Sequence, residues 1–108
     1  MATLTVQDIT SAGLEPSYVS AAAQGDVFAN DGKTLVHLKN GSEGAITVTI
    51  AAQNACSLGV LHDVTIALAA GKEAMAGPFV RTIYNNGSGM VALTYSGVTS
   101  LTVGALSL

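Results

Sequence analysis

The sequence predicts an all-β protein, an antiparallel β-sandwich of about eight short strands. Short runs alternate between apolar residues and small polar ones, as strands with one buried face do. Turn residues such as Asn-Gly interrupt these runs at short intervals, and no segment keeps a helical period of apolar residues. Strand counts leave a jelly-roll-like and an immunoglobulin-like topology open. The Cys…Trp…Cys pattern of true immunoglobulin domains is excluded, because the chain has one cysteine and no tryptophan.

The predicted strands follow the alternating runs in chain order. Each run places its apolar residues on one side and mostly Thr, Ser or Ala on the other, because side chains alternate across a strand. The expected strands are residues 3–9, 18–28, 33–39, 45–52, 63–69, 73–79, 90–95 and 101–106. Asn40-Gly41 is a hairpin signal, so the third and fourth of these strands are expected to pair. Pro78 places the end of its strand at a sheet edge.

One domain, residues 1–108, accounts for the whole chain, since no linker, repeat or low-complexity segment divides it. Residues 1–19 form a possible N-terminal arm together with the first strand. Such an arm could pair with the sheet edge of a neighbouring chain.

Charge is scarce in this sequence. Charged residues make up 10% of the 108 residues and the net charge is −3, whereas a typical soluble domain has roughly 25% charged residues. Only four residues are basic, too few for the basic stripe that nucleic-acid binding requires, so no nucleic-acid partner is expected. No charged residue lies between Thr82 and Leu108, but turn residues break that stretch and its period is that of strands. No membrane span is therefore expected.

The N-terminus lacks the basic and apolar regions of a secretory signal, so synthesis in the cytoplasm is expected. Cys56 is the only cysteine, which excludes an internal disulfide and favours a structural thiol.

No readable catalytic or cofactor motif is present, so the chain is expected not to be an enzyme and to bind no cofactor or metal. His37 lies in a strand with its side chain directed away from the core. Asp26, Asn30 and Asp31 surround two glycines and could form a calcium loop, but Asp and Asn more often bond to their own turns. The aromatic residues could form a sugar-stacking platform, although core and interface positions are favoured; they are Tyr18, Phe28, Phe79, Tyr84 and Tyr95.

The strand "AITVTIAA" has one apolar face and one face of small uncharged residues. Thr47, Thr49 and Ala51 lie on this second face. Small uncharged residues allow another backbone to approach closely at little desolvation cost. These three residues are therefore the candidate packing face, and the chain is expected to form homo-oligomers.

Three stretches in order resemble a known family: "NDGKTLVHLKNGSEGAITVTI", "DVTIALAAGKEAMAGPF" and "YNNGSGMVALTYSGVTSLTVGAL". The most telling pieces are the "NDG" turn leading to "KNGS", and "AG…GPF" followed by Tyr84 and Asn85. Together they resemble small β-sandwich proteins encoded among the head-morphogenesis genes of tailed bacteriophages. The resemblance extends from about Gln24 to Leu106.

The resemblance implies a virion protein of the capsid surface, a decoration or auxiliary head protein that binds the outer shell and stabilises it. The implied partners are the major capsid protein and further copies of the chain, most commonly as trimers at threefold positions. Two alternatives remain open: a phage tail or head-fibre component, and a carbohydrate-binding surface module.

Overall fold

The protein folds into two β-sheets packed face to face, seen in a computed structural model that describes residues 2–54, 59 and 61–108. Sheet A contains, in spatial order, β1 (Ala2–Thr3), β4 (Asp26–Ala29), β9 (Met90–Tyr95), β6 (Ile46–Ile50) and β7 (Val64–Leu68). Sheet B contains β2 (Val6–Asp8), β10 (Leu101–Ser107), β5 (Thr34–Asn40) and β8 (Glu73–Ala76), with β3 (Val19–Ser20) beside β2 along β10. A single helical turn, α1 (Arg81–Tyr84), precedes β9.

The predicted all-β sandwich is confirmed, with ten strands in the described residues rather than eight. Two expected strands are each divided. The run at 3–9 crosses from sheet A to sheet B at Leu4, which is 5% exposed, and so yields β1 and β2. The run at 18–28 is divided by a turn that ends at Gly25, where φ is 100°. The sheets are mixed rather than purely antiparallel, because β1 and β2 pair parallel to their neighbours.

Residues 2–8 lie within the sheets of their own chain. β1 pairs with β4, and β2 pairs with β10. The backbone N–H of Leu4 donates to Val27 in the same chain. Removing the first dozen residues would therefore delete two strands and a core side chain, so it would not separate partner binding from folding.

The predicted hairpin between residues 33–39 and 45–52 is wrong. β5 belongs to sheet B and β6 to sheet A, so residues 41–45 connect the two sheets. Asn40 explains the difference, because its side chain is 2% exposed and donates to the carbonyl oxygens of Gly44, Leu68 and Ala69. The Asn-Gly pair therefore ends β5, and the Asn40 side chain connects that end by hydrogen bonds to sheet A.

The core lies between the sheets and consists of the apolar residues that the alternation places on the inner side. The five largest strands contribute Val36, Leu38, Ile46, Val48, Ile50, Leu68, Val91, Leu93, Leu101, Val103 and Ala105. Leu4, Ala21, Phe28 and Phe79 complete it, and the ring centroids of the two phenylalanines lie 6.0 Å apart. Burial of the alternating apolar residues supplies the main driving force for the sandwich.

Charge-free strands are mostly internal to the sheets. β6 lies between β9 and β7, β9 lies between β4 and β6, and β10 is flanked by β5 on one side and by β2 and β3 on the other. The sheet-edge position predicted from Pro78 is confirmed, because β8 is the edge strand of sheet B. Cys56 and several of its neighbours in the 53–62 connection lie outside the described residues.

In the part of the chain that the structure describes, no helix has the length and hydrophobicity needed to cross a membrane.

Candidate interaction surface

The outer face of sheet A carries the residues predicted to pack against a partner. Thr47 is exposed and Thr49 half-buried, while the alternating Ile46, Val48 and Ile50 are buried beneath them. The third predicted residue, Ala51, follows the end of β6 and is half-buried; its N–H donates to Ala92. The alternation of residues in the sequence thus correctly predicts which side of β6 faces the core and which faces outward.

Neighbouring strands extend this surface with the same types of residue. Thr49 lies opposite Thr94 of β9 on one side and Thr65 of β7 on the other, and Thr47 lies opposite Ala67. We call this surface the Thr–Ala face, defined by Thr47, Thr49, Thr65, Ala67, Ala92 and Thr94. None of the six carries a charge. Val27 and Ala29 of β4 continue the uncharged surface towards the far edge of the sheet.

The outer face of sheet B is different, because it carries charge and an aromatic ring. The Tyr18 hydroxyl lies 2.7 Å from His37 Nδ1, and His37 Nε2 lies 3.2 Å from Glu73 Oε1. Lys39 Nζ is 4.0 Å from the centroid of the Tyr18 ring, within range of a cation–π interaction. The two outer faces of the sandwich therefore differ in charge.

The contacts of Tyr18 with His37 and Lys39 hold the segment before β3 against sheet B. Gly104 of β10 makes room for it, since a Cβ atom there would lie 3.0 Å from both the Ser17 carbonyl oxygen and the Tyr18 ring. Gln7 fixes the same segment with two hydrogen bonds: its side-chain NH₂ donates to the Ser17 carbonyl oxygen at 2.8 Å, and its side-chain oxygen accepts from the Ser17 N–H at 2.7 Å. The outward direction of His37 is as predicted, but its side chain is only 12% exposed because Tyr18 covers it. The sequence offered no sign of this contact, since Tyr18 lies in the segment before β3 and His37 lies in β5.

The three residues of the candidate calcium loop do not converge. Asp26 is 1% exposed and lies at the start of β4, whereas Asn30 and Asp31 follow its end. Asn30 Oδ1 accepts from Gly32 N, and Asp31 Oδ1 accepts from Lys33 N, so the predicted bonding of Asn and Asp to their own turn is confirmed. The Lys33 N–H bond is the main cause that lowers the pKa of Asp31 below its usual value. Among the described residues, no group of three or more His, Cys, Asp or Glu side chains is placed to hold a metal ion.

The aromatic side chains mostly pack inside the sandwich. Phe28 and Phe79 are buried, and Tyr84 packs edge-on against Phe79 with ring centroids 5.6 Å apart. Tyr95 packs against the core, and its hydroxyl donates to Asp26 Oδ2 at 2.6 Å. The rings that a sugar-stacking platform would use are therefore engaged in packing.

Tyr95 makes the stability of the fold depend on pH in the alkaline range. Burial, followed by the hydrogen bond to the Asp26 carboxylate and its negative charge, raises the pKa of the Tyr95 phenol. In the unfolded chain the phenol ionises near its ordinary pKa of about 10. Because the phenol has a higher pKa in the folded protein than in the unfolded chain, its protonated form stabilises the fold fully below pH ~10. This stabilisation is lost as the pH rises from there towards the pKa of the folded state. The free energy of unfolding should therefore fall by up to about 1.4 kcal/mol per pH unit above pH ~10.

Urea unfolding at pH values from about 8 to 11 checks this, with Tyr95→Phe as the reference because it has no phenol to ionise. The phenylalanine variant should be less stable at pH ~8, since Asp26 loses a donor, and its deficit should shrink above pH ~10. A deficit that stays constant over the series would contradict the assignment.

Comparison with family models, with curated proteins and with solved structures found no match.

Proposed function

We propose that this chain is a non-enzymatic virion structural protein, a decoration protein that binds the outer shell of a tailed-phage capsid as a homo-oligomer. The observation that carries the proposal is the uncharged Thr–Ala face, set against the charged outer face of sheet B. The resemblance of three sequence stretches to phage head proteins supports a capsid protein as the partner. The proposed location of the protein is the capsid surface.

The composition of the Thr–Ala face suits packing against another protein. Thr and Ala side chains are short, so a facing backbone or side chain can approach the sheet closely. No ion has to be desolvated when the face is covered, and a threonine hydroxyl can exchange a water for a partner's polar group. The register of the sheet sets Thr49 between Thr65 and Thr94, so similar small side chains lie side by side across three strands.

Binding to the assembled shell, and not to free capsid subunits, would stabilise the shell by mass action. A capsid offers the same site many times in a symmetric array, and an oligomeric ligand that engages several sites gains avidity without any new contact. A modest contact at each Thr–Ala face is therefore sufficient. The proposed partner is the major capsid protein.

Charged substitutions on β6 test the proposal. Thr47→Lys and Thr49→Glu each place a charge on the Thr–Ala face, and each should lower the amount of protein that sediments with purified capsids by tenfold or more, because a buried unpaired charge costs about 2 kcal/mol or more. Met75→Glu is the matched control: Met75 is 58% exposed and lies on the outer face of sheet B. It should leave capsid binding unchanged.

Undiminished capsid binding by both β6 variants would exclude the Thr–Ala face as the binding surface. Electron microscopy of the virion that contains the protein tests the wider assignment. Density for the chain across the capsid surface supports a decoration protein. Density confined to the tail or to a fibre base, or glycan-array binding lost on changing Tyr84 or Tyr95, would replace it with the corresponding alternative.

A further inference from the structure

Strand edges expose backbone N–H and C=O groups, and this chain protects most of the edges of its two sheets. β1 at one edge of sheet A has two residues, and the neighbouring edge of sheet B consists of β2 with three and β3 with two. The other edge of sheet B is β8, which begins with Glu73 and is followed by Pro78. Short strands, charges and proline are the usual devices that prevent a sheet edge from pairing with another chain.

β7 has none of these devices within its own residues, and the carboxylate of Asp63, which directly precedes it, accepts a hydrogen bond from the Ala52 N–H. β7 spans Val64–Leu68, and its five residues include no charge, proline or glycine. β6 pairs with one side of β7, and among the described residues no strand pairs with the other. The free side of such a strand carries backbone groups that an added strand would satisfy.

We propose that β7 is a self-association edge, which pairs antiparallel with β7 of a second copy of this chain about a two-fold axis at Ile66. In this register Val64 lies opposite Leu68 of the other copy, and Thr65 lies opposite Ala67. Side chains on the core face of one copy then lie beside side chains on the core face of the other, and the same holds for the outer faces. This follows because both copies have the same alternation along β7. The two sheets A would become one continuous sheet.

Two features of the edge favour a second β7 as the occupant. A two-fold contact brings each strand against itself, so any charged residue at its centre would face a like charge, and β7 has no charge. No other sheet edge in the described part of the chain offers five unguarded residues, so only β7 can match the full length of β7. A two-fold pair differs from the trimer that the phage resemblance implies.

A five-residue ladder buries less surface than a standard stable interface, so the pair should be weak, with a dissociation constant on the order of tens of micromolar or higher. Light scattering coupled to size exclusion, run from about 10 μM to about 1 mM protein, should show the mass rising from one chain towards two. The prediction concerns the free protein and does not rest on the proposed capsid function.

Two double variants of β7 separate pairing from other effects. Thr65 and Ala67 are both exposed, so charges there do not enter the core. In T65K/A67K, the lysine at position 65 of each copy lies opposite the lysine at position 67 of the other. These two repulsive pairs should raise the dissociation constant about tenfold. In T65K/A67E the same register sets lysine opposite glutamate twice, so pairing should persist and weaken with added salt.

The double variant T47K/T49E changes β6, the strand beside β7 on the same face. It should abolish capsid binding and leave the self-association through β7 unchanged. Failure of one proposal is therefore distinguishable from failure of the other. Wild-type protein that stays monomeric at about 1 mM, or forms trimers, overturns the β7 pairing. So does equal association of T65K/A67K and T65K/A67E. If either variant fails to fold, hydrogen exchange of the wild-type protein decides: the β7 amides should gain protection at high concentration, and unchanged protection overturns the proposal.

Discussion

Replacing Asn40 with alanine should lower the melting temperature by about 15 °C. The side-chain NH₂ of Asn40 is the hydrogen-bond donor to Gly44, Leu68 and Ala69, and its carbonyl oxygen accepts from the Ser42 N–H and hydroxyl. Asn40 is 2% exposed, so water cannot replace all of these bonds. Leaving buried groups unpaired costs about 3 kcal/mol in total, and each kcal/mol lowers the melting temperature of a domain of this size by roughly 4–8 °C.

The chain provides a matched control for this experiment in its second Asn-Gly-Ser sequence. Asn86 Oδ1 accepts from the Ser88 and Met90 N–H groups within one local turn, and among the described residues its side chain makes no bond that joins the two sheets. Asn86→Ala should therefore cost only about 1 kcal/mol. Thermal unfolding followed by circular dichroism measures both variants. Equal losses would show that the link from Asn40 to the opposite sheet contributes nothing beyond turn formation.

Replacing Gly104 with alanine should destabilise the protein by about 2 kcal/mol, the usual cost of forcing an extra methyl group into a filled space. The new Cβ atom would lie 3.0 Å from the Ser17 carbonyl oxygen and from the Tyr18 ring. Because the Ser17 carbonyl is backbone, the whole segment before β3 has to move. The 2.7 Å contact between Tyr18 and His37 would be lost with it.

Gly97→Ala is the control for Gly104→Ala, because in the described part of the chain no heavy atom lies within 4 Å of a Cβ atom at position 97. Its free energy of unfolding, measured in urea, should match or slightly exceed that of the wild type. Combining Gly104→Ala with Tyr18→Ala should cost less than the sum of the two single changes, since removing the ring removes part of the clash. Simple additivity would argue against the contact.

The sequence alone was sufficient to predict which side of most strands is buried. In β5, the alternation of Val36 and Leu38 with His37 and Lys39 predicts an inner and an outer side, and the structure has the same two sides. The same holds for Ile46, Val48 and Ile50 of β6. Burial of apolar side chains is a local rule with a period of two residues, so the pattern can be read without knowledge of the partner strand.

The candidate site was only partly predictable. Thr47 and Thr49 were identified from β6 alone, but their uncharged neighbours Thr65 and Thr94 come from strands whose positions the sequence does not show. The Tyr18–His37–Glu73 cluster was missed for the same reason. Each of these side chains is unremarkable in its own segment, and only the pairing of β10 with β3 and β5, and of β5 with β8, brings them together.

The sequence by itself determined the fold class and the inner and outer side of each long strand, because both follow from alternation along the chain. The tertiary structure decided which strands pair, and with it which edge is left open. A hairpin from β5 to β6 would bury the same side chains as the observed crossing to the other sheet, so the hydrophobic pattern cannot distinguish the two. The bonds from Asn40 to Leu68 and Ala69, which connect residues far apart in the chain, favour the crossing.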